Sequence, residues 1–195
     1  MIHLDALPTI RGGGTLLRQL TGDDVAALFA VFSDPDVMRY WSHPPLVHVS
    51  EAAAYLEDIR IGFERRSLFQ WGLCREGDDR VIGTCTLWRI DAQNLRAEVG
   101  FALAQAHWGR GWMTDGMTAL IDYAFSELGL RRLEADVDPD NWASRALLER
   151  LGFEWEGYLR DRWLVAGETF DSIFYGLLER DWRRRGPGGG DSAAG

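Results

Sequence analysis

Three glycines fall within eight residues of the segment AHWGRGWMTDGM, residues 106–117. Two of them, Gly109 and Gly111, flank Arg110, and a helical pattern follows. Glycine lets the backbone approach a ligand closely, and the first turn of a helix has unpaired backbone N–H groups that attract anions. The segment therefore predicts a cradle for a pyrophosphate, with Arg110 adding positive charge. A tight strand-to-helix turn that simply requires glycine is the alternative.

This segment differs from the two common phosphate-binding motifs. No Gly-Lys-Ser/Thr sequence follows, as a Walker loop requires, and Thr114 stands where a G-x-G-x-x-G motif needs its third glycine. The Arg-Gly-Gly-Gly run at 11–14 has no predicted strand before it. We therefore expect this run to belong to a flexible lead and not to a phosphate loop.

Composition argues against several classes of protein. The formal net charge of −9 disfavours nucleic acid or an anionic membrane as a partner. The two cysteines, Cys74 and Cys85, and the scattered histidines have no spacing suited to a metal, so we expect none. No apolar run approaches the ~18 residues of a membrane span, and the N-terminus lacks the pattern of a signal peptide. We expect a reduced, cytoplasmic protein.

Hydrophobic periodicity predicts the elements that must position the cradle. Their order indicates one mixed α/β domain at 14–182, after a flexible lead at 1–13 and before a disordered tail at 183–195. The predicted strands are 15–20, 68–75, 80–90, 96–104, 131–137, 154–164 and 169–178. The predicted helices are 21–34, a short one from Pro35, 50–66 with Ser50 as its cap, one after Gly111, and 141–153.

Several segments together resemble the GNAT superfamily of acyl-CoA-dependent N-acyltransferases, and within it the RimJ and RimL branch of ribosomal-protein N-terminal acetyltransferases. The family's acetyl-CoA loop reads Arg/Gln-x-x-Gly-x-Gly/Ala. Its counterpart here is Trp108, Gly109, Arg110, Gly111, Trp112 and Met113. Also typical of the branch are AEVGF (97–101), SDPDVMRYWSHPP (33–45), NWASRALLERLGFEWEGYLRD (141–161) and GETFD (167–171). The resemblance covers roughly residues 14–182.

Two residues depart from the family's loop. Trp108 replaces the usual Arg or Gln, a change that is common in this branch. Met113 replaces a small Gly or Ala, so its side chain either crowds the phosphates or points into the core. Either way, all six loop residues are candidates for binding acetyl-CoA.

The resemblance implies a single-domain GNAT fold with a mixed central sheet of about seven strands, flanking helices, and a fourth and fifth strand that splay apart. The splayed strand ends in Phe101, Ala102 and Leu103, whose free backbone groups would bind the pantetheine arm and supply an oxyanion donor. Asn141 matches the family's asparagine that contacts the CoA arm.

The resemblance also implies candidates for proton transfer. Glu98 matches the position that often carries the general base, and Asp136 and Asp161 are alternatives for that role. If Glu98 is not catalytic, we expect it to be a surface strand carboxylate that pairs with an arginine such as Arg96 or Arg132. The family's usual acidic tyrosine is replaced here by Leu148. Ser144 lies near the start of the same helix, where the RimL-like enzymes place a serine, so the resemblance makes it the candidate acid that protonates the CoA sulfur. The alternative is that Ser144 only caps its helix together with Asn141.

The implied reaction is direct attack of a primary amine on acetyl-CoA in a ternary complex, without a metal, by a monomer or homodimer. The favoured acceptor is a protein or peptide N-terminal α-amine. An aminoglycoside or polyamine is the alternative acceptor. Met113 and Leu148 motivate a further alternative, a module that binds acyl-CoA without transferring it. Candidates for the acceptor pocket, all equally suited to core packing, are Tyr40, Trp41 and Trp88, with Tyr158 and Trp163. The acidic residues Glu98, Asp136, Glu156 and Asp171 would favour a cationic amine.

Overall fold

A computed structural model describes residues 4–165 and 167–186 of the chain. Within these ranges the chain forms eight strands and six α-helices. The strands are β1 (Ile10–Arg11), β2 (Thr15–Gln19), β3 (Leu68–Arg75), β4 (Asp78–Asp91), β5 (Arg96–Leu103), β6 (Arg132–Val137), β7 (Glu154–Val165) and β8 (Glu168–Leu178). The helices are α1 (Val25–Phe32), α2 (Pro35–Met38), α3 (Val49–Glu64), α4 (Trp112–Ser126), α5 (Trp142–Arg150) and α6 (Glu179–Arg185).

All the strands join one mixed sheet in the order β1-β2-β3-β4-β5-β6-β8-β7. Neighbouring strands are antiparallel except β5 and β6, which are parallel. The parallel pair requires a crossover connection, and α4 provides it. The glycine-containing segment therefore lies at the end of β5, where the chain leaves the sheet to begin this helix.

Each face of the sheet is covered by its own apolar core. The first core packs the apolar side of α4, including Met117, Leu120 and Ile121, against one face, and α5 joins it through Leu148. The second core packs α1 and α3 on the opposite face, with Leu28 among its buried residues. Since successive strand residues point to opposite faces, each strand through the middle of the sheet contributes to both sides.

The predicted α/β fold is confirmed, with differences at the edges of the sheet. The sheet has eight strands instead of about seven because Ile10 and Arg11 pair with Leu17 and Leu16. Part of the expected flexible lead is therefore in the sheet, and the Trp71 indole fastens it further by donating to the Pro8 carbonyl oxygen at 2.9 Å.

Two helix ends also differ from the sequence-based expectation. Helix α3 is capped at His48 and not at Ser50, because the Glu51 carboxylate accepts from the N–H groups of Val47 and His48. Residues 183–185 of the expected disordered tail form the last turn of α6. The rest of that tail, 187–195, lies outside the described residues, as do 1–3 of the lead.

Two kinds of feature are absent from the described ranges. No helix there is long and apolar enough to cross a membrane. No group of three or more His, Cys, Asp or Glu residues is arranged to hold a metal ion within the same ranges.

Candidate active site

The parallel strands β5 and β6 separate soon after they meet. They share only three register pairs, Arg96–Arg132, Ala97–Leu133 and Glu98–Glu134, whereas β5 remains paired with β4 as far as Leu103. Phe101, Ala102 and Leu103 therefore have a strand on one side only, and the expected splay is present.

The free backbone groups along this gap can be assigned from the strand pairing. The Ala104 N–H donates to the Ile82 carbonyl on β4. Because backbone groups alternate in direction along a strand, Ala102 also faces β4, and the peptide groups of Phe101 and Leu103 face the gap. One of these is already used, since the Trp108 indole donates to the Leu103 carbonyl oxygen at 2.7 Å. Phe101 is left with both backbone groups directed into the gap.

The glycine-containing segment turns the chain from β5 into α4. Gly111 is the N-cap of α4 with φ +80°, and Gly109 has φ +70°. These left-handed conformations favour glycine. No backbone N–H from Gly109 to Thr114 donates to another residue of 4–165 or 167–186. Six consecutive donors, with Arg110 exposed beside them, are thus available to an anion at this helix start.

Met113 does not crowd this helix start. Its side chain is buried in the core, where its sulfur lies 3.7 Å from the Cys85 sulfur. Trp112 packs partly against the same core. Only the backbone N–H of Met113 is therefore left beside the glycines, and its side chain does not occupy the space in front of the helix start.

Asp115 connects the first turn of α4 to the glycine run before β2. Its carboxylate accepts from the Gly13 N–H at 2.8 Å, the Gly14 N–H at 3.0 Å and the Thr15 hydroxyl at 2.6 Å. A Cβ at Gly12 would come within 2.5 Å of this carboxylate. The glycine run therefore serves to let the chain approach α4, a role that the sequence reading did not anticipate.

The start of α5 presents an unused hydroxyl. Asn141 is the N-cap, and its side-chain oxygen accepts from the backbone N–H of Ser144 at 3.1 Å. The Ser144 hydroxyl takes no part in this cap. Leu148, one turn further on, is fully buried, so the position of the family's tyrosine belongs to the core in this chain.

Glu98 lies on the face of the sheet opposite α4, because its neighbours Ala97 and Val99 belong to the core under that helix. The side chain is 7% exposed and pairs with Arg89 at 2.9 Å. Its other oxygen, Oε2, is buried without a hydrogen-bond partner among the described residues. Burial raises the pKa of the Glu98 carboxyl above its ordinary value; Arg89 opposes the rise, and the charges of Asp136 and Glu134 add to it.

The ion pairs around Glu98 differ from those expected. Arg96 and Arg132 both bind Glu134, each at 2.7 Å, and neither binds Glu98. Asp136 accepts from the Trp163 indole at 3.2 Å and also from Ser172. Asp136 is therefore held as a structural acceptor, and Asp161, whose N–H is bound by Asp171 at 2.8 Å, lies exposed on β7.

The aromatic candidates fall into two groups. Trp41 packs its ring against Phe32 at 5.3 Å, next to the second core, and Tyr40 beside it is half-buried. Trp88 lies opposite Glu98 on β4, with the Arg89 guanidinium 4.2 Å from its ring centre. Packing against the second core explains most of the contacts of the Trp41 ring, whereas Trp88 lies beside Glu98, the candidate base.

Arg89 is the site residue that the sequence reading missed. The alternation of a regular strand places neighbouring side chains on opposite faces, which would separate Arg89 from Trp88. A bulge follows Trp88, and Arg89 has φ +48°. The Arg89 side chain therefore folds back, and its guanidinium lies over the Trp88 ring. The sequence contains no glycine or asparagine at this point that could have indicated the bulge.

A parallel strand pair that opens beside a glycine-containing helix start defines this chain as an acetyltransferase of the GNAT type. Residues 15–154 match the family described as acetyltransferase (GNAT) domain, and the chain belongs to that family. It is an N-acetyltransferase, as its relatives are.

Two relatives and one solved structure of the same fold illustrate what this chain is similar to. The uncharacterized N-acetyltransferase p20 of Bacillus licheniformis is 36% identical over 166 residues, 85% of this chain and 93% of the relative. The [ribosomal protein uS5]-alanine N-acetyltransferase of Escherichia coli is 32% identical over 117 residues, 60% of each chain. The crystal structure of spermidine N-acetyltransferase from Vibrio cholerae, with CoA and spermine, has a TM-score of 0.77 at 22% identity, covering 87% of this chain and 98% of that one.

Proposed function

We propose that this enzyme transfers the acetyl group of acetyl-CoA to the N-terminal α-amine of a protein. The observation that carries the proposal is the opening between β5 and β6 after Glu98. It exposes the Phe101 peptide groups beside the six free N–H groups of the glycine-containing segment, and Glu98 lies on the sheet face opposite that helix. Acetyl-CoA supplies the activated acyl group as a thioester.

The residues fit acetyl-CoA by chemistry. The N–H groups from Gly109 to Thr114 and the charge of Arg110 suit a pyrophosphate. The exposed peptide groups of Phe101 suit an arm that binds like an added strand, and its N–H would donate to the thioester oxygen. Asn141, the N-cap of α5, would contact the CoA arm, as the resemblance implies.

Two side chains would move protons. Glu98 would accept a proton from the amine, directly or through a water molecule, because a buried carboxyl with a raised pKa is a stronger base than an exposed one. The Ser144 hydroxyl, which the helix cap leaves free, would donate to the departing sulfur. Met113 lies in the core and gives no reason to expect binding without transfer, and the Ser144 hydroxyl would replace the proton donor that Leu148 lacks.

The proposed acceptor is supported by a relative's name and by the surface near Trp163. The E. coli relative is named as an N-acetyltransferase acting on an alanine of ribosomal protein uS5. On the face of the sheet that carries Trp163, strand β7 also exposes Leu159, and the neighbouring strand β8 exposes Phe170. Apolar side chains on an edge strand next to the site provide contact area for a polypeptide.

A polyamine is the second candidate acceptor. The buried carboxylates Glu98 and Glu134, together with Asp136, lie on one face of the splayed strands, and carboxylates favour a polycation. The V. cholerae structure of the same fold contains spermine. A small polycation would need the carboxylates but not the apolar edge of β7.

An amine panel with detection of released thiol tests both candidates. The panel contains unblocked peptides with N-terminal alanine or serine, the same peptides with a blocked N-terminus, spermidine and an aminoglycoside. The proposal expects thiol release with unblocked peptides and none with blocked ones. Turnover of spermidine alone would replace it with the second candidate. Absence of thiol release with every amine, when acetyl-CoA is bound, would refute both.

A further inference from the structure

The Arg89 guanidinium occupies a position built to hold a cation. Its Cζ atom lies 4.2 Å from the ring centre of Trp88 and 5.6 Å from that of Trp163. Its Nη1 atom lies 2.9 Å from Glu98 Oε1. Two tryptophan rings and one buried carboxylate are the groups that recognise organic cations. We define Trp88, Trp163 and Glu98 as the cation box.

Arg89 is poorly suited to be a permanent occupant of the cation box. Its backbone has φ +48°, in the left-handed region that arginine seldom adopts. Its side chain is 42% exposed, whereas that of Glu98 is 7% exposed. The guanidinium therefore reaches the box from a strained backbone position and has an open route back to solvent.

The box also has more hydrogen-bonding capacity than Arg89 uses. Glu98 Oε2 is buried and accepts no hydrogen bond from the described residues. A buried polar atom without a partner is costly, and an ammonium group has three donors with which it could satisfy both carboxylate oxygens. The neighbouring carboxylates are occupied, Glu134 by Arg96 and Arg132, and Asp136 by Arg162.

We propose that in the free enzyme Arg89 occupies the place of the acceptor's ammonium group, and that the acceptor binds by exchanging with it. This inference rests on the proposed function, since it assumes that the amine approaches Glu98. Exchange brings the ammonium to the carboxylate that is to accept its proton. It also removes a neighbouring positive charge that weakens Glu98 as a base. Arg89 is thus a specificity-determining residue that selects acceptors able to displace a guanidinium.

The test compares Arg89→Ala with a matched control, Arg66→Ala. Arg66 also has positive φ, +58°, and also stacks on an aromatic ring, 4.7 Å from the centre of Phe63. It stacks on Phe63, which packs against the first core, whereas Glu98 faces the other side of the sheet. Its replacement therefore controls for backbone strain and for loss of one stacked arginine. Both variants are checked for unchanged melting temperature before the kinetics.

The expected result is a lower KM for the acceptor in Arg89→Ala, with the KM for acetyl-CoA unchanged. If Arg89 leaves the box free in about one molecule in ten, the decrease is about tenfold. Methylguanidinium, at ionic strength matched with sodium chloride, should inhibit Arg89→Ala competitively against the amine and inhibit the wild type less. Arg66→Ala should behave as the wild type in each measurement.

Direct binding separates failure of this inference from failure of the proposed function. Methylguanidinium is titrated against wild type and Arg89→Ala while tryptophan fluorescence is recorded, which needs no turnover. Saturable binding to Arg89→Ala alone supports the cation box even if the acceptor has been assigned wrongly. Equal or absent binding in the two proteins, or an acceptor KM that rises or stays the same in Arg89→Ala, would overturn the inference.

Discussion

Glu98 and Glu134 lie opposite each other at the last register pair between β5 and β6. Both side chains are buried to nearly the same extent, 7% and 8% exposed, yet their partners differ. Glu134 binds two arginines, whereas Glu98 binds one and keeps an oxygen without a partner among the described residues. The pair thus combines a neutralised structural carboxylate with an available one at the point where the strands open.

Glu98→Gln is expected to lower kcat/KM by about 100- to 10,000-fold, the usual contribution of a general base. In the wild type, kcat/KM should fall as pH decreases through the pKa of Glu98, because only the ionised carboxylate accepts a proton. Since burial raises that pKa above the ordinary value of 4.5, the fall should begin at a higher pH than for an exposed glutamate. The measurement is a pH profile of kcat/KM: the part of the acid limb that follows Glu98 should disappear in Glu98→Gln, leaving the limb set by protonation of the amine itself.

Glu134→Gln is the matched control for this profile. Removing its charge takes away a neighbouring negative group that raises the pKa of Glu98, so the acid limb should remain but move to lower pH. An unchanged limb in Glu98→Gln would assign the titration to another group and exclude Glu98 as the base.

Gly111→Asp is expected to abolish binding of both CoA and acetyl-CoA. The substitution places a carboxylate beside the six N–H groups at the start of α4, where it repels a pyrophosphate. Gly129→Asp is its control, because both glycines have positive φ, +80° and +66°, and a Cβ added at either one would meet open space. Calorimetric titration should show wild-type affinity for Gly129→Asp. Retained binding by Gly111→Asp would mean that the glycines serve only the turn.

Local pattern was sufficient to predict most of the fold. The hairpin of β3 and β4 and the helix α4 follow from periodicity, and their observed bounds differ from the predicted ones by only a few residues. Helix α6 was missed because ERDWRRR has one apolar residue, Trp182, and lacks a recognisable stripe. Strand β1 was missed because two residues carry no period; pairing with β2 alone defines it.

The site was predictable only where it depends on backbone. The free N–H groups follow from glycine spacing and a helix start, both of which are local in sequence. The partner of Glu98 was not predictable: Arg89, Arg96 and Arg132 were all within reach of a strand residue, and a bulge decided between them. The contact of Asp115 with Gly13 joins residues 102 positions apart, which no local pattern encodes.

Asp115→Asn is expected to destabilise the fold by about 2 kcal/mol, the scale of a hydrogen bond to a charged group. The amide keeps one acceptor oxygen, whereas the carboxylate accepts from Gly13, Gly14 and Thr15. Asp58→Asn, on the exposed side of α3, is the control and should be neutral. Free energies of unfolding from denaturant titration provide the comparison.

The effect of Asp115 should also depend on pH. Burial raises the pKa of this carboxyl, but the hydrogen bonds from Thr15, Gly14 and Gly13 outweigh burial and leave the pKa below 3.8. A lowered folded-state pKa gives stability that is present above the unfolded value and lost as pH falls through the folded one. The difference between wild type and Asp115→Asn should therefore stay constant near neutral pH and shrink below about pH 4. A difference that grows in acid would contradict the assignment.

Ser144→Ala should separate catalysis from helix capping. The cap uses the Ser144 backbone N–H and the Asn141 side chain, so loss of the hydroxyl should leave the melting temperature unchanged. It should lower kcat by about 100-fold or more, because the departing sulfur loses its proton donor. Acetyl-CoA affinity, measured by calorimetry, should remain close to that of the wild type.

Asn141→Ala provides the converse change. It removes the cap acceptor and should cost about 1 kcal/mol of stability, with weaker acetyl-CoA binding as a second effect.

If Ser144→Ala instead retains full kcat, the serine is not the acid. The protonation would then pass to water, since Leu148, at the position of the family's tyrosine, has no proton to donate and is fully buried.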